Sequence, residues 1–184
     1  KDGSVIKADR KSILSLSGGT LEVYSVDAQS TLRAAGSASL SLDVQNVWIE
    51  SEVNVNPSAL LRAQQASLNL HSNDFVALFK GKVNIPSIGM PSDVGSIAAI
   101  MNGGHLEVKG GRYFFAMDKS VENASNGTGI YASNSANVAI GNERDKVNLL
   151  SITGVGYGLA SMSCNQFDVK TENLYIETVS ATAG

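Results

Sequence analysis

Two carboxylates at the right separation can hydrolyse a glycosidic bond, so acidic pairs in this chain come first. Hydrolysis needs carboxyl groups about 5–5.5 Å apart for a retaining mechanism, or about 6.5–9.5 Å for an inverting one. Glu107 and Asp168 occupy the same place in a repeat set out below, two repeats apart with Ala139 between them. Stacked strands would hold them about 9–10 Å apart. No further acid, His or Arg lies in that column, so they read as two solvated acids on an exposed sheet. Glu50 and Glu177 are also equivalent. Four strand spacings, roughly 19 Å, keep them from acting together. A lyase would show clustered Asp for calcium beside an Arg base, and no such cluster falls in register. His71 and His105 could ligate a metal, but no carboxylate or cysteine stands at ligand spacing beside both. Cys164 is the only cysteine and lies between Ser163 and Asn165, with no histidine near it in sequence to activate a thiolate. It can form neither an internal disulfide nor a four-cysteine zinc site. The run Gly154-Val155-Gly156-Tyr157-Gly158 lacks the strand-loop-helix context of a nucleotide loop and reads as tight turning. No catalytic residue, metal or cofactor is therefore expected.

Binding chemistry is better represented. Trp48 and Tyr175 stand at matching points of Val47-Trp48-Ile49-Glu50-Ser51 and Leu174-Tyr175-Ile176-Glu177-Thr178. Alternation turns both outward beside inward Ile49 and Ile176, and exposed aromatics stack on sugars or anchor protein partners. Ser87, Met90, Ser92 and Asp93 lie in a stretch holding two of the three prolines, Pro86 and Pro91. Asn123 and Asn126 lie in a polar turn over residues 118–128 and head the sequons Asn123-Ala124-Ser125 and Asn126-Gly127-Thr128. Tyr113, Phe114 and Phe115 read as core and its flank.

The elements that must position these residues follow from a repeat. Leu32-Arg33-Ala34 with Ser39-Leu40-Ser41-Leu42 returns as Leu61-Arg62-Ala63 with Ser67-Leu68-Asn69-Leu70, 28 to 29 residues later. Further copies are Ile6-Lys7-Ala8 with Leu14-Ser15-Leu16, Leu106-Glu107-Val108, Tyr131-Ala132 with Val138-Ala139-Ile140, and Leu159-Ala160 with Phe167-Asp168-Val169. Each apolar-x-apolar triplet points two side chains to one face of a strand and the middle one to the other. Several short strands per repeat, without helical periodicity, predict an all-β, right-handed parallel β-helix, a solenoid of about six coils. A leucine-rich repeat would need a helical return and an Asn ladder, and a β-sandwich would not repeat one triplet at this period. Residues 1–184 read as a single domain. The period stretches to 38 residues between Leu68 and Leu106, which places a projecting loop at about residues 86–96. A small charged corner is expected at Asn142-Glu143-Arg144-Asp145-Lys146. Neither terminus carries a capping helix, so the expectation is an uncapped segment of a longer repeat protein.

Composition narrows the partners. The 184 residues include 24 Ser, 15 Asn and 18 Gly, nearly a third of the chain, which disfavours a helical bundle. A net charge of −3 without a basic stripe argues against nucleic acid. No apolar run reaches the roughly 18 residues of a membrane-spanning helix, and Lys1-Asp2-Gly3-Ser4 does not begin a signal peptide.

Gly129-Ile130-Tyr131-Ala132-Ser133-Asn134-Ser135-Ala136-Asn137-Val138-Ala139-Ile140-Gly141, and its echo from Tyr157-Gly158-Leu159-Ala160-Ser161 to Val169, resemble the passenger domains of Gram-negative autotransporters. The resemblance covers most of the chain as a style of Ser/Asn/Gly-rich repeat. It implies type V secretion through the outer membrane and an extracellular β-helical stalk on the cell surface. It further implies a non-catalytic role in adhesion, self-association or biofilm formation. The partners it suggests are a second copy of the chain and a glycan or protein on a host or bacterial surface. Membrane attachment would come only through a barrel outside this sequence.

Overall fold

In a computed structural model, which describes residues 3–53, 58–81, 85–87 and 89–180, alternating apolar and small polar residues form sixteen strands. The first eight are β1 (Ser4–Ala8), β2 (Ile13–Val26), β3 (Ser30–Ala35), β4 (Ser39–Glu52), β5 (Leu61–Gln64), β6 (Ser67–His71), β7 (Asp74–Lys80) and β8 (Ser96–Met101). They are followed by β9 (His105–Lys109), β10 (Arg112–Met117), β11 (Thr128–Ser133), β12 (Asn137–Ile140), β13 (Val147–Val155), β14 (Tyr157–Met162), β15 (Gln166–Val169) and β16 (Thr171–Thr178). A single turn of 3₁₀ helix spans Ala124–Asn126. Every pairing is parallel.

Strand order is β1-β3-β5-β8-β11-β14 in a six-stranded sheet and β15-β12-β9-β6-β4-β7-β10-β13-β16 in a ten-stranded one, with β2 on β4. The larger sheet consists of two stacks joined by the long strands. The first part of β4 pairs with β6 and its second part with β7. The chain thus visits three stacks in rotation, and each pass lays its strands on those of the pass before. In the second stack one column runs Leu14, Leu40, Leu68, Leu106, Val138, Phe167, and beside it Ser15, Ser41, Asn69, Glu107, Ala139, Asp168. The first column faces the core, where Leu40, Leu68, Leu106 and Val138 are wholly buried. The second faces out, and the Asn69 amide donates to the hydroxyls of Ser39 and Ser41 across the strands. In the third stack Phe75 stacks on Tyr113, ring centroids 5.4 Å apart, and meets Phe115 edge-on.

Two details differ from the sequence reading. The fourth pass enters the first stack through Ser96–Met101, which lacks the Leu-x-Ala signature because its residues are buried on both faces. The copies read as Tyr131-Ala132 and Leu159-Ala160 are one residue out: Ile130 lies opposite Leu159, and Tyr131 opposite Ala160. Tyr131 therefore points away from the main core and fills a second small cluster with Ala59, Ala99, Met101 and Ala160.

Connections between strands differ sharply by corner. From first to second stack they take two to four residues. Each of the six passes places a left-handed residue there, Arg10, Ser37, Gln65, Asn102, Asn134 and Ser163, with φ between 52° and 64°. Asn tolerates that conformation through its short polar side chain, and the Asn134 amide donates to the Asn102 amide oxygen at 3.1 Å. From third to first stack the connections run from one residue, between β13 and β14, to fifteen, between β7 and β8. The charged corner between β12 and β13 closes on itself, the Asn142 side-chain oxygen accepting from the backbone N–H groups of Arg144 and Asp145.

Candidate functional site

The outer face of the third stack carries four exposed large apolar side chains, Tyr24, Val26, Trp48 and Tyr175. One outward column there runs Glu22, Trp48, Val76, Phe114, Ser151, Tyr175. The next column along the strands runs Tyr24, Glu50, Leu78, Ala116, Thr153, Glu177. The side chains of Phe75, Ala77 and Phe115 take the inward positions, so Val76, Leu78 and Phe114 have no option but to face out. Trp48, 39% exposed, is followed along the column by half-buried Val76 and Phe114 in a low apolar ridge, with half-buried Leu78 and Ala116 on its flank.

Ion pairs border the ridge. Lys80 donates to Glu50 at 2.9 Å, and this bond raises the lysine pKa above its ordinary value. Arg112 grips Asp74 with two bonds of 2.7 and 2.9 Å, which raise the guanidinium pKa. An apolar strip rimmed by charges is the usual form of an interaction surface. At the far end Tyr175, 52% exposed, donates its hydroxyl to Glu177 at 3.0 Å, and that carboxylate pushes the phenol pKa up.

Trp48 and Tyr175 thus share one column, four strand spacings or about 19 Å apart. Val76 and Phe114, which join them, escaped the sequence reading. The signal was there: Val76 is 28 residues beyond Trp48, and Phe114 follows at the same 38-residue step that separates Leu68 from Leu106.

The loop residues sit elsewhere. Ser87 and Met90 are exposed in the β7–β8 connection, while Ser92 and Asp93 are half-buried. Asp93 lies 3.7 Å from Arg62, and the Ser92 hydroxyl accepts from Val94 N–H. Ile85 is wholly buried, which ties down the start of the stretch, and Ile88 lies outside the described residues. Asn123 and Asn126 lie in the β10–β11 connection, Asn123 beside a cleft of about 320 Å³ shared with Asp118, Lys119 and Ser125. Asp118 accepts from Ser120 N–H, and this bond lowers its carboxyl pKa. The two connections occupy the same corner on consecutive passes, and Ile85 N–H donates to Glu122 carbonyl between them. Residues read as two separate loops therefore adjoin.

Residues weighed for catalysis do not converge. Glu107 and Asp168 have Ala139 between them in the ladder, Glu107 is paired with Lys109 at 2.8 Å, and Asp168 accepts from Gln166. His71 Nδ1 lies 2.9 Å from Asp43, both exposed. His105 stands opposite Ser67 and His71 opposite Lys109, which puts the two rings' strand positions about 14 Å apart. Among the described residues no group of three His, Cys, Asp or Glu could hold a metal ion. Cys164 Sγ contacts the Ser161 hydroxyl at 2.6 Å. At Gly156 a Cβ would strike the Ser125 carbonyl of the neighbouring pass, so glycine there serves close stacking.

The class that these observations define is an all-β protein of stacked parallel strands with an apolar outer ridge. No family model matches the chain, and neither a curated protein sequence nor a solved structure matches it.

Proposed function

We propose that the chain is a right-handed parallel β-helix of about six coils that serves as a non-catalytic, adhesive segment of a Gram-negative surface protein of the autotransporter passenger type. Right-handedness follows from the rule for parallel crossovers. The observation that supports a binding role is the ridge of Trp48, Val76 and Phe114, continued in the same column by Ser151 and Tyr175 and bordered by ion pairs. Polar side chains on that face would have left the core intact, because only the inward column builds it. A column of equivalent contacts also suits repeated ligands, since engagement of several together multiplies a weak affinity. Self-association and contact with a surface glycan or protein are the two uses in view. Export across the outer membrane, display outside the cell and attachment through a separate barrel belong to the same reading.

Surface display of the chain tests it. Bacteria carrying the parent sequence should aggregate or adhere to host cells. Bacteria carrying Val76→Asp with Phe114→Asp should do so at least about tenfold less. Circular dichroism of the two purified chains should coincide. Unchanged adhesion with the folded double variant would remove the ridge from the function, leaving a stalk or the β7–β8 and β10–β11 connections.

A further inference from the structure

At the β4 end of the ridge, Trp48 does not merely protrude. It lines a shallow cleft of about 230 Å³ together with Thr20, Glu22, Asn46, Val47, Asp74 and Val76. Glu22 and Val76 lie opposite Trp48 on the adjoining strands, and Thr20, Asn46 and Asp74 form the column two residues upstream. The indole therefore shares the cleft with a hydroxyl, an amide and a carboxylate from the column two residues upstream, and with the Glu22 carboxylate on β2. Among the described residues no hydrogen bond or ion pair engages the side chains of Thr20, Glu22 or Asn46. Asp74 is held in place by Arg112, and each of its oxygens keeps a free lone pair.

We infer that this cleft is a subsite for one pyranose ring of an uncharged glycan. A sugar ring has an apolar face of C–H groups and a rim of hydroxyls. The indole offers a flat, electron-rich platform to that face, and the acceptors Glu22, Asn46 and Asp74 lie where hydroxyl donors on the rim would reach. A ligand made only of carbon and hydrogen would strand these polar groups, which disfavours an aliphatic side chain in the same place. Uronate, sialate or sulfate would face the unpaired Glu22 carboxylate, so acidic sugars are disfavoured in turn. Val76 and Phe114 continue the platform by one strand spacing each, about 4.8 Å, along which a chain of sugars would run. This inference rests on reading the outer face as a binding surface and names what that surface takes.

The single Trp of the chain is the platform itself, so its fluorescence reports on this cleft alone. Cellohexaose, maltohexaose, mannohexaose and galactohexaose would be titrated separately into the purified chain, with hexagalacturonate as the acidic counterpart of the last. At least one neutral hexasaccharide should shift the tryptophan emission in a saturable way, and Asn46→Ala should weaken that binding about tenfold. Hexagalacturonate should bind more weakly than its neutral counterpart until Glu22→Gln narrows the gap. Calorimetry with Trp48→Ala should show the neutral hexasaccharide no longer bound, while Trp48→Phe retains part of the affinity. No emission change with any neutral probe, or equal binding by Trp48→Ala, would overturn the inference. Adhesion lost in the ridge double variant but kept in Trp48→Ala would overturn the glycan subsite while leaving the adhesive face standing.

Discussion

Tyr113 offers the most exacting test of how consecutive passes are fastened together. Its ring is wholly buried against Phe75, and its oxygen sits between the ends of β6 and β9 and the β6–β7 connection. The oxygen accepts from Ser72 N–H at 3.0 Å, and the hydroxyl lies 2.7 Å from Lys109 carbonyl and 3.2 Å from Leu70 carbonyl. Tyr113→Phe keeps the ring and removes this fastening. Ser72 is itself only 4% exposed, so its N–H is left without a partner in a place water does not reach. An orphaned buried donor costs about 1–3 kcal/mol, and the loss of one good acceptor contact adds to it, so about 2–3 kcal/mol of stability should go. Urea unfolding followed by circular dichroism should show a lower midpoint with an unchanged slope, the sign of lost stability without altered compactness.

Alkaline pH supplies a second reading of the same residue. Burial pushes the Tyr113 phenol far above its ordinary value of 10.0. A group whose folded pKa is raised contributes fully below its unfolded pKa and loses that contribution as pH climbs towards the folded one. Stability of the parent should therefore hold below about pH 10 and fall above it, as the unfolded phenol ionises and the folded one does not. Tyr113→Phe should fall less steeply over that range. A variant within about 0.5 kcal/mol of the parent at neutral pH, with the same alkaline slope, would show that the ring and not the hydroxyl holds this corner.

The remaining predictions concern the core column and the corners. Leu68→Asp places a carboxylate on a wholly buried inward position and should abolish folding, whereas Asn69→Asp, one residue on and facing out, should fold; protease resistance separates them, and a resistant Leu68→Asp would refute the inward column. Gly111→Ala should cost about 2 kcal/mol or more, because φ is 29° and a Cβ would run into the carbonyls of Ser72 and Asn73. Gly103→Ala, with nothing within 4 Å of the added carbon, should cost only about 1 kcal/mol for its left-handed backbone. Equal losses of thermal stability in the two would contradict the steric account.

The inward columns of the second stack were legible in the sequence because period-two alternation and a 28- to 29-residue repeat constrain the same residues twice. Leu14, Leu40, Leu68, Leu106, Val138 and Phe167 satisfy both and lie opposite one another. The fourth-pass strand Ser96–Met101 was not legible, since it is apolar on both sides and follows an insertion that resets the count. The same insertion moved Phe114 out of the regular spacing that runs from Trp48 to Val76. Phe114 also sits between Tyr113 and Phe115, two fully buried aromatics, so its type alone pointed inward. That the 86–96 and 118–128 stretches adjoin could not be read from either one, because the hydrogen bond from Thr128 N–H to the Gly95 carbonyl depends on which corner each occupies.

The unequal corners have a consequence for how such a chain can change. Connections of two to four residues on one side hold the passes in step, while those on another side run from one residue to fifteen without breaking the ladder. Loop closure grows costlier only slowly with length. Insertions are thereby sorted to one edge, where new sequence can be displayed, exchanged or grafted while the stacked strands go on folding by the same contacts. A lineage could revise its loops there and leave the ridge on the neighbouring face untouched, two surfaces free to diversify at different rates.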